Sequence, residues 1–217
     1  GSHSVEAQRI DLQTGLSKPR KKQIWADIVR CKIRGQIEVL TTLNKPTERL
    51  KRLESEVRSG DEGNREATAA QVYWPLLFGP TFRRNRDMPG VNAALNYGYT
   101  ILRACVCRAI TGAGLHPNIP LHHTNKYSSF RLADDLMEVF RPAVDLHVAN
   151  LNVAQDELSS DSRASLAALV DKVVLIGERK RTILDATQDV AHSLVSVCAG
   201  ETPRLTLPSS LRLQRQE

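Results

Sequence analysis

The sequence predicts an all-α protein of about seven helices in one domain. Apolar residues keep helical steps of three and four along most of the chain, and Gly and Pro fall at recurring breaks between those runs. The 217 residues are 41% hydrophobic and 25% charged, ordinary values for a soluble globular chain.

Taken in order, Gly1-Ser2-His3 reads as a cleaved tag remnant and residues 1–17 as a non-helical linker; without an initiator Met, the chain reads as part of a longer protein. Trp25, Val29, Ile33, Ile37 and Leu40 form the stripe of a long helix over 21–42. Pro46 opens a second helix striped by Leu50, Leu53 and Val57, and Gly60 ends it. A third runs from Asp61 or Asn64 to Phe78. GPTFRRNRDMPG, residues 79–90, is a basic irregular loop. The fourth helix, 91–111, is apolar on nearly every face and is expected to lie centrally. Residues 115–129 form a polar loop, and a fifth helix starts near Phe130, kinked or restarted by Pro142. Two more helices are expected over 160–175 and 178–199. The helical domain then spans 18–203, and a tail of 204–217 has room for a short strand at 204–207.

Charge is uneven. Residues 1–60 carry 13 Lys and Arg against 7 Asp and Glu, and the rest of the chain is balanced, for a net +6 overall. A basic protein of this kind favours a polyanionic partner, nucleic acid before a membrane surface. No stretch reaches the apolar length of a membrane span. The four cysteines form no CxxC pair, which argues against a zinc knuckle and for reduced thiols in a cytoplasm.

The chemistry concentrates in LHHTNKYSSFRLADDLMEVF, residues 121–140. On a helical wheel Leu132, Leu136, Phe140 and Val144 share one face, while Asp134, Asp135 and Glu138 share the other. Asp134 and Asp135 are explained by the first-turn dipole. Glu138 lies deeper, and Pro142 cannot donate to its carbonyl. By spacing alone Glu138 reads as a solvated surface acid. An imidazole with carboxylates suits Mg or Mn, and the lack of nearby thiolates disfavours zinc. Glu66, in the first turn of the third helix among small residues, is a candidate third donor, though it also reads as a dipole-stabilising charge.

The phrases NREATAAQVYWPLLFG, NAALNYGYTILRACVCRAITGAGLHP and LHHTNKYSSFRLADDLMEVFRPAVD, in this order and after KPRKKQIWADIVRCKIRGQ, resemble the CRISPR-associated integrase family, the catalytic subunit of spacer acquisition, and most of all its type II members. The resemblance is strong over 18–145 and implies a metal-dependent endonuclease and integrase with an all-α catalytic domain. It implies Glu66, His123 and Glu138 as catalytic ligands of Mg2+ or Mn2+, with His122 the adjacent alternative and Asp135 an accessory acid. It further implies double-stranded DNA as substrate, a homodimer, a small ferredoxin-like partner subunit, a prokaryotic cytoplasmic setting, and an upstream β-rich domain that is not seen before Lys18. Arg83, Arg84, Arg86, Lys126 and Arg131 are candidate phosphate contacts, each equally readable as surface charge. Tyr73, Asn96 and Tyr97 belong to the family phrases and could equally pack within the domain. Two rival readings are a transposon-end integrase with the same metal site and a non-catalytic helical DNA-binding module.

Overall fold

The computed structural model of the protein describes residues 2–123, 129–151, 153 and 158–214. The helices are α1 (Ser2–Thr14), α2 (Lys18–Thr42), α3 (Glu48–Ser55), α4 (Arg65–Phe78), α5 (Val91–Gly112), α6 (Arg131–Met137), α7 (Arg141–Ala149), α8 (Ser160–Ala167) and α9 (Ile183–Cys198). Three short strands, β1 (Val173–Ile176), β2 (Arg179–Thr182) and β3 (Pro208–Gln214), form one antiparallel sheet in the order β2-β1-β3. The fold is predominantly helical, as the periodicity predicts.

Two long helices organise the core. α2 packs against α3, α4, α6, α7 and β3, and α5 packs against α6, α7, α8 and α9. The helix expected to be central, α5, therefore shares that place with α2. Between them lies the segment from α6 to α7. Its side chains are buried nearly throughout, from Leu132 and Leu136 to Phe140, Ala143 and Val144. Close helix approach at this junction uses a glycine: a Cβ on Gly98 of α5 would come within 2.5 Å of Val144 Cγ1.

α2 begins three residues earlier than its apolar stripe suggests. Ser17 Oγ accepts from the Arg20 N–H, and Pro19 sits in the first turn, where its missing N–H costs nothing. α6 and α7 are joined by a 3-10 turn, Glu138–Phe140, so Pro142 restarts the helix. The Glu138 carbonyl, which Pro142 cannot serve, accepts instead from the Arg141 N–H.

Three expectations are corrected. The segment before Lys18 is not a non-helical linker: α1 is docked by side-chain bonds to the 113–119 loop. Arg9 Nη1 donates to the Ala113 carbonyl, and the buried Gln13 carboxamide bonds the His116 and Ile119 carbonyls and the His116 N–H. The eighth helix ends at Ala167 rather than near 175, and the last helix starts at Ile183 rather than 178. Between them β1 and β2 form a hairpin, because Val173, Val174 and Ile176 are β-branched and Gly177 takes φ 62 at the first of two turn positions. The tail strand lies at Pro208–Gln214, not at 204–207. It opens on Pro208, the first residue of an edge strand, where the missing N–H is tolerated. β3 also docks on α2, where the Leu211 N–H donates to Glu38 Oε2 and Leu211 packs over Gly35.

Gly98→Ala is expected to destabilise the fold by about 1–3 kcal/mol, the usual range for overpacking. Thermal denaturation should show the loss, with partial recovery when Val144→Ala is added to make room.

Candidate functional site

The structure buries the acidic segment that spacing alone places on a solvated face. Asp135 is 0% exposed and Glu138 3%. The cause is the position of α6 between α2 and α5, which covers most of the helix. Each acid must then be partnered, and each has a different partner.

Asp135 holds the histidine loop. Its Oδ2 accepts from the backbone N–H groups of Leu121 at 2.7 Å and His122 at 3.0 Å, and its Oδ1 from that of His123 at 3.1 Å. The same Oδ1 lies 2.6 Å from His123 Nδ1. A carboxylate at Nδ1 fixes the ring orientation and leaves Nε2 as the free electron pair. It also raises the His123 pKa, which burial lowers by a smaller amount; Glu138 and Glu66 raise it further. His122 points elsewhere: its ring stacks on Trp25 of α2, 4.3 Å between centroids and 2° from parallel. Asp135 is thus a positioning group for His123, and His122 is part of the loop's footing.

Glu66 is placed by the cap of α4. Asp61 accepts from the N–H groups of Arg65 and Glu66, fixing the first turn of that helix. The Glu66 side chain then meets Lys32 of α2, whose Nζ is 2.6 Å from Glu66 Oε1 and 2.5 Å from Glu138 Oε2. Arg141 Nε lies 3.2 Å from the other Glu138 oxygen. Burial opposes ionisation of Glu138, but Arg141 and Lys32 outweigh it and hold its pKa below the usual carboxylate value. Burial likewise opposes charge on Lys32, and the two glutamates reverse it. The buried Glu138 Oε2 is thus held by the Lys32 ammonium, its close ion-pair partner.

Behind Arg141 lies a second buried acid, Asp145, which accepts from the hydroxyls of Tyr73 at 3.1 Å and Tyr99. Arg141 stacks over the Tyr99 ring, 4.7 Å from its centroid. Burial pushes the Asp145 carboxyl up to about 7, although the tyrosine hydroxyls and Arg141 pull it down. A cavity of about 800 Å3 opens in front of this layer, lined among others by Arg84, Arg86, Arg103, His123, Glu138 and Arg141.

The sequence candidates therefore sort clearly. Glu66 and Glu138 meet through one ammonium, and His123 and Glu138 share the cavity wall. Arg84 faces the cavity from a rigid mount: Asn92 and Asn96 take its guanidinium at 2.9 and 2.6 Å. Arg86 also lines it. Arg83 instead folds back on the Pro80 and Phe82 carbonyls, and Arg131 bonds Asn118 at 2.8 Å. Lys126 lies outside the described residues. Of the family-phrase residues, Tyr73 and Asn96 have internal partners, and Tyr97 packs on the core. Sequence reasoning missed Lys32, Arg103, Arg141 and Asp145. Lys32 had a readable signal: it stands three residues after Val29 and seven after Trp25, inside the apolar stripe of α2.

The donor set of two carboxylates and an imidazole suits a hard divalent cation, and the two carboxylates already share one cation, the Lys32 ammonium. Among the described residues, no three His, Cys, Asp or Glu side chains are already closed to metal-binding distance. Lys32 stands between two of the three.

A mostly helical domain with acids, an imidazole and arginines around one open cavity has clear relatives. The family model for CRISPR associated protein Cas1 matches residues 1–189, and the chain belongs to that family. It is 49% identical over 214 residues to the CRISPR-associated endonuclease Cas1 of Neisseria meningitidis serogroup C, covering 96% of this chain and 70% of that one. A CRISPR-associated endonuclease Cas1 of Pyrobaculum aerophilum is 35% identical over 168 residues, 69% of this chain and 55% of that protein. In structure, the chain is similar to a casposase bound to integration product, with a TM-score of 0.77 at 17% identity over 98% of this chain and 74% of the casposase. It is also similar to a Cas1 protein from Thermotoga maritima, with a TM-score of 0.70 at 20% identity over 85% of this chain and 68% of that one. These two likenesses are of fold. The four cysteines are unpaired, and no helix among the described residues is long and apolar enough to cross a membrane.

The Asp145 carboxyl gives a pH test. An unfolded Asp titrates near about 3.9. Between that value and about 7 the folded chain keeps a proton the unfolded chain has lost. Stability from this group is therefore full at low pH, falls as pH rises through that window, and levels off above it. Denaturant unfolding at several pH values should show this slope in the wild type and its loss in Asp145→Asn.

Proposed function

We propose that the chain is the catalytic part of a metal-dependent DNA endonuclease and integrase of CRISPR adaptation. The observation that carries this reading is His123 and Glu138 on the wall of an arginine-lined cavity, with Glu66 joined to Glu138 through Lys32, in a member of the Cas1 family. In the reaction, a 3′-hydroxyl of a prespacer attacks a phosphodiester at the repeat boundary. The new P–O bond forms as the old one breaks, and the departing 3′-oxygen takes up a proton.

Glu66, Glu138 and the Nε2 face of His123 would hold Mg2+ or Mn2+, which supplies charge stabilisation at the scissile phosphate and activation of the attacking hydroxyl. The protein supplies the rest by placement. Asp135 orients the imidazole, with His123 serving as ligand rather than base. Arg84, Arg86, Arg103 and Arg141 face the cavity and would bind the phosphate backbone and offset developing charge. Asn92 and Asn96 keep the Arg84 fork aimed without a bound ligand. Double-stranded DNA is the substrate in this reading. A homodimer and a small ferredoxin-like subunit complete the assembly in a prokaryotic cytoplasm; complexes of Cas1 with Cas2 among the structural neighbours support the partner. A transposon-end integrase fits the same geometry. The 49% identity to a CRISPR-associated endonuclease, against 17% to the casposase, favours the CRISPR reading.

Strand transfer of labelled DNA by the full-length protein with its partner subunit, in Mn2+ or Mg2+, is expected to fall to background in His123→Ala and in Glu138→Ala. Undiminished transfer by both variants would overturn the site. Asp135→Asn, which turns one of the two acceptor oxygens into a donor, should loosen the loop that carries His123 and weaken metal affinity by about 10–100-fold, the usual cost of losing a partner behind a metal-binding imidazole. Isothermal titration with Mn2+ measures it.

A further inference from the structure

Lys32 occupies an unusual position. It projects from the apolar face of α2, with its side chain only 11% exposed, and its neighbours in the stripe are Ile28, Val29, Ile33 and Gln36, all buried. A lysine there needs strong compensation, and it has two carboxylates, Glu66 at 2.6 Å and Glu138 at 2.5 Å. These are the two glutamates assigned above as metal ligands, reached from helices far apart in sequence.

We infer that Lys32 is a resident cation of the site: its ammonium holds Glu66 and Glu138 together in the metal-free protein and is displaced from between them when a divalent metal binds. The inference rests on the metal-site reading of those glutamates. Three features carry it. Without a cation, two carboxylates converging in a largely buried place repel each other strongly. A single ammonium touches one oxygen of each glutamate, Glu66 Oε1 and Glu138 Oε2, the place a divalent cation shared by the two would take. Lysine also suits a temporary tenant: its charge is compact and its stem flexible, whereas an arginine fork would lock onto carboxylates in two-point fashion. Metal loading is then an exchange of one cation for another at the same oxygens. The metal-free fold stays stable at the cost of weaker metal binding.

The test compares wild type with Lys32→Met, and with Lys32→Gln as a milder variant, using Mn2+ alone. Resident-cation behaviour predicts a Kd for Mn2+ about tenfold or more lower in both variants. It also predicts a lower metal-free melting temperature and a larger rise on adding Mn2+ than in wild type. A purely structural lysine predicts equal or weaker Mn2+ binding in the variants, and that result overturns the inference. Wild-type protein with 15N-labelled lysine gives a second readout that needs no variant. The Lys32 ammonium signal should be protected without metal and should shift or exchange away at saturating Mg2+; an unmoved signal overturns the inference. Glu66→Gln separates the two levels. If it abolishes Mn2+ binding while Lys32→Met brings no gain, only the role of Lys32 falls. If Mn2+ binding is absent throughout, or survives Glu66→Gln, the metal-site reading falls and takes the inference with it.

Discussion

Burial of carboxylates on one short segment is the constraint from which the rest of the structure follows. α6, its 3-10 turn and α7 run between two long helices, and Asp135, Glu138 and Asp145 all point into protein rather than water. An isolated charge in such a place is unsustainable. Each acid therefore recruits a set of donors, and each set fixes a different part of the molecule. Asp135 gathers three backbone N–H groups and thereby shapes the histidine loop. Glu138 draws Lys32 from α2 and Arg141 from α7. Asp145 draws two tyrosines, one from α4 and one from α5. Satisfying the charges and assembling the site are the same act.

The chain of contacts is continuous. Glu66 meets Lys32, Lys32 meets Glu138, Glu138 meets Arg141, Arg141 lies on Tyr99, and Tyr99 donates to Asp145. Four helices from separate parts of the sequence contribute to it. Removing any one member of a buried charge network leaves its neighbour uncompensated, which costs more than the lost pair contributes. Of the arginines lining the cavity, Arg141 belongs to this network through both Glu138 and Tyr99, and Arg84 touches it at the Tyr99 ring. That residue links the stability of the core to the charge presented to a ligand.

Much of this was legible in the sequence. The stripe Trp25, Val29, Ile33, Leu40 marks α2, and Leu50, Leu53 and Val57 mark α3 and the turn after it, because apolar spacing follows directly from burial of one helix face. The phrase resemblance implies Glu66, His123 and Glu138 as ligands, and in the structure Glu66 and Glu138 meet at one ammonium while His123 and Glu138 line one cavity. What was not legible depends on partners distant in the chain. α1 has no strong apolar stripe; polar bonds from Arg9 and Gln13 to residues about a hundred positions away dock it. β1 forms because β3 and β2 flank it, although VVLI followed by Gly177 carried a hairpin signal. The wheel of residues 130–144 has an acidic face that reads as solvated, because a wheel shows which side chains share a face but not what packs against it. Asp145 follows four apolar-flanked positions and carries no local mark of its burial.

One consequence of α2 reaches beyond packing. Trp25 stacks beneath the His122 ring and Lys32 stands between the two glutamates, seven residues and two helical turns on. A single rigid rod thus sets the spacing between the imidazole arm of the site and its carboxylate arm. β3 lies against the same rod within the next two turns, at Gly35 and Glu38. Sliding or rolling this rod would move both arms in concert, so a shift of α2 or of the tail strand upon it would be felt at His122 and Lys32 together.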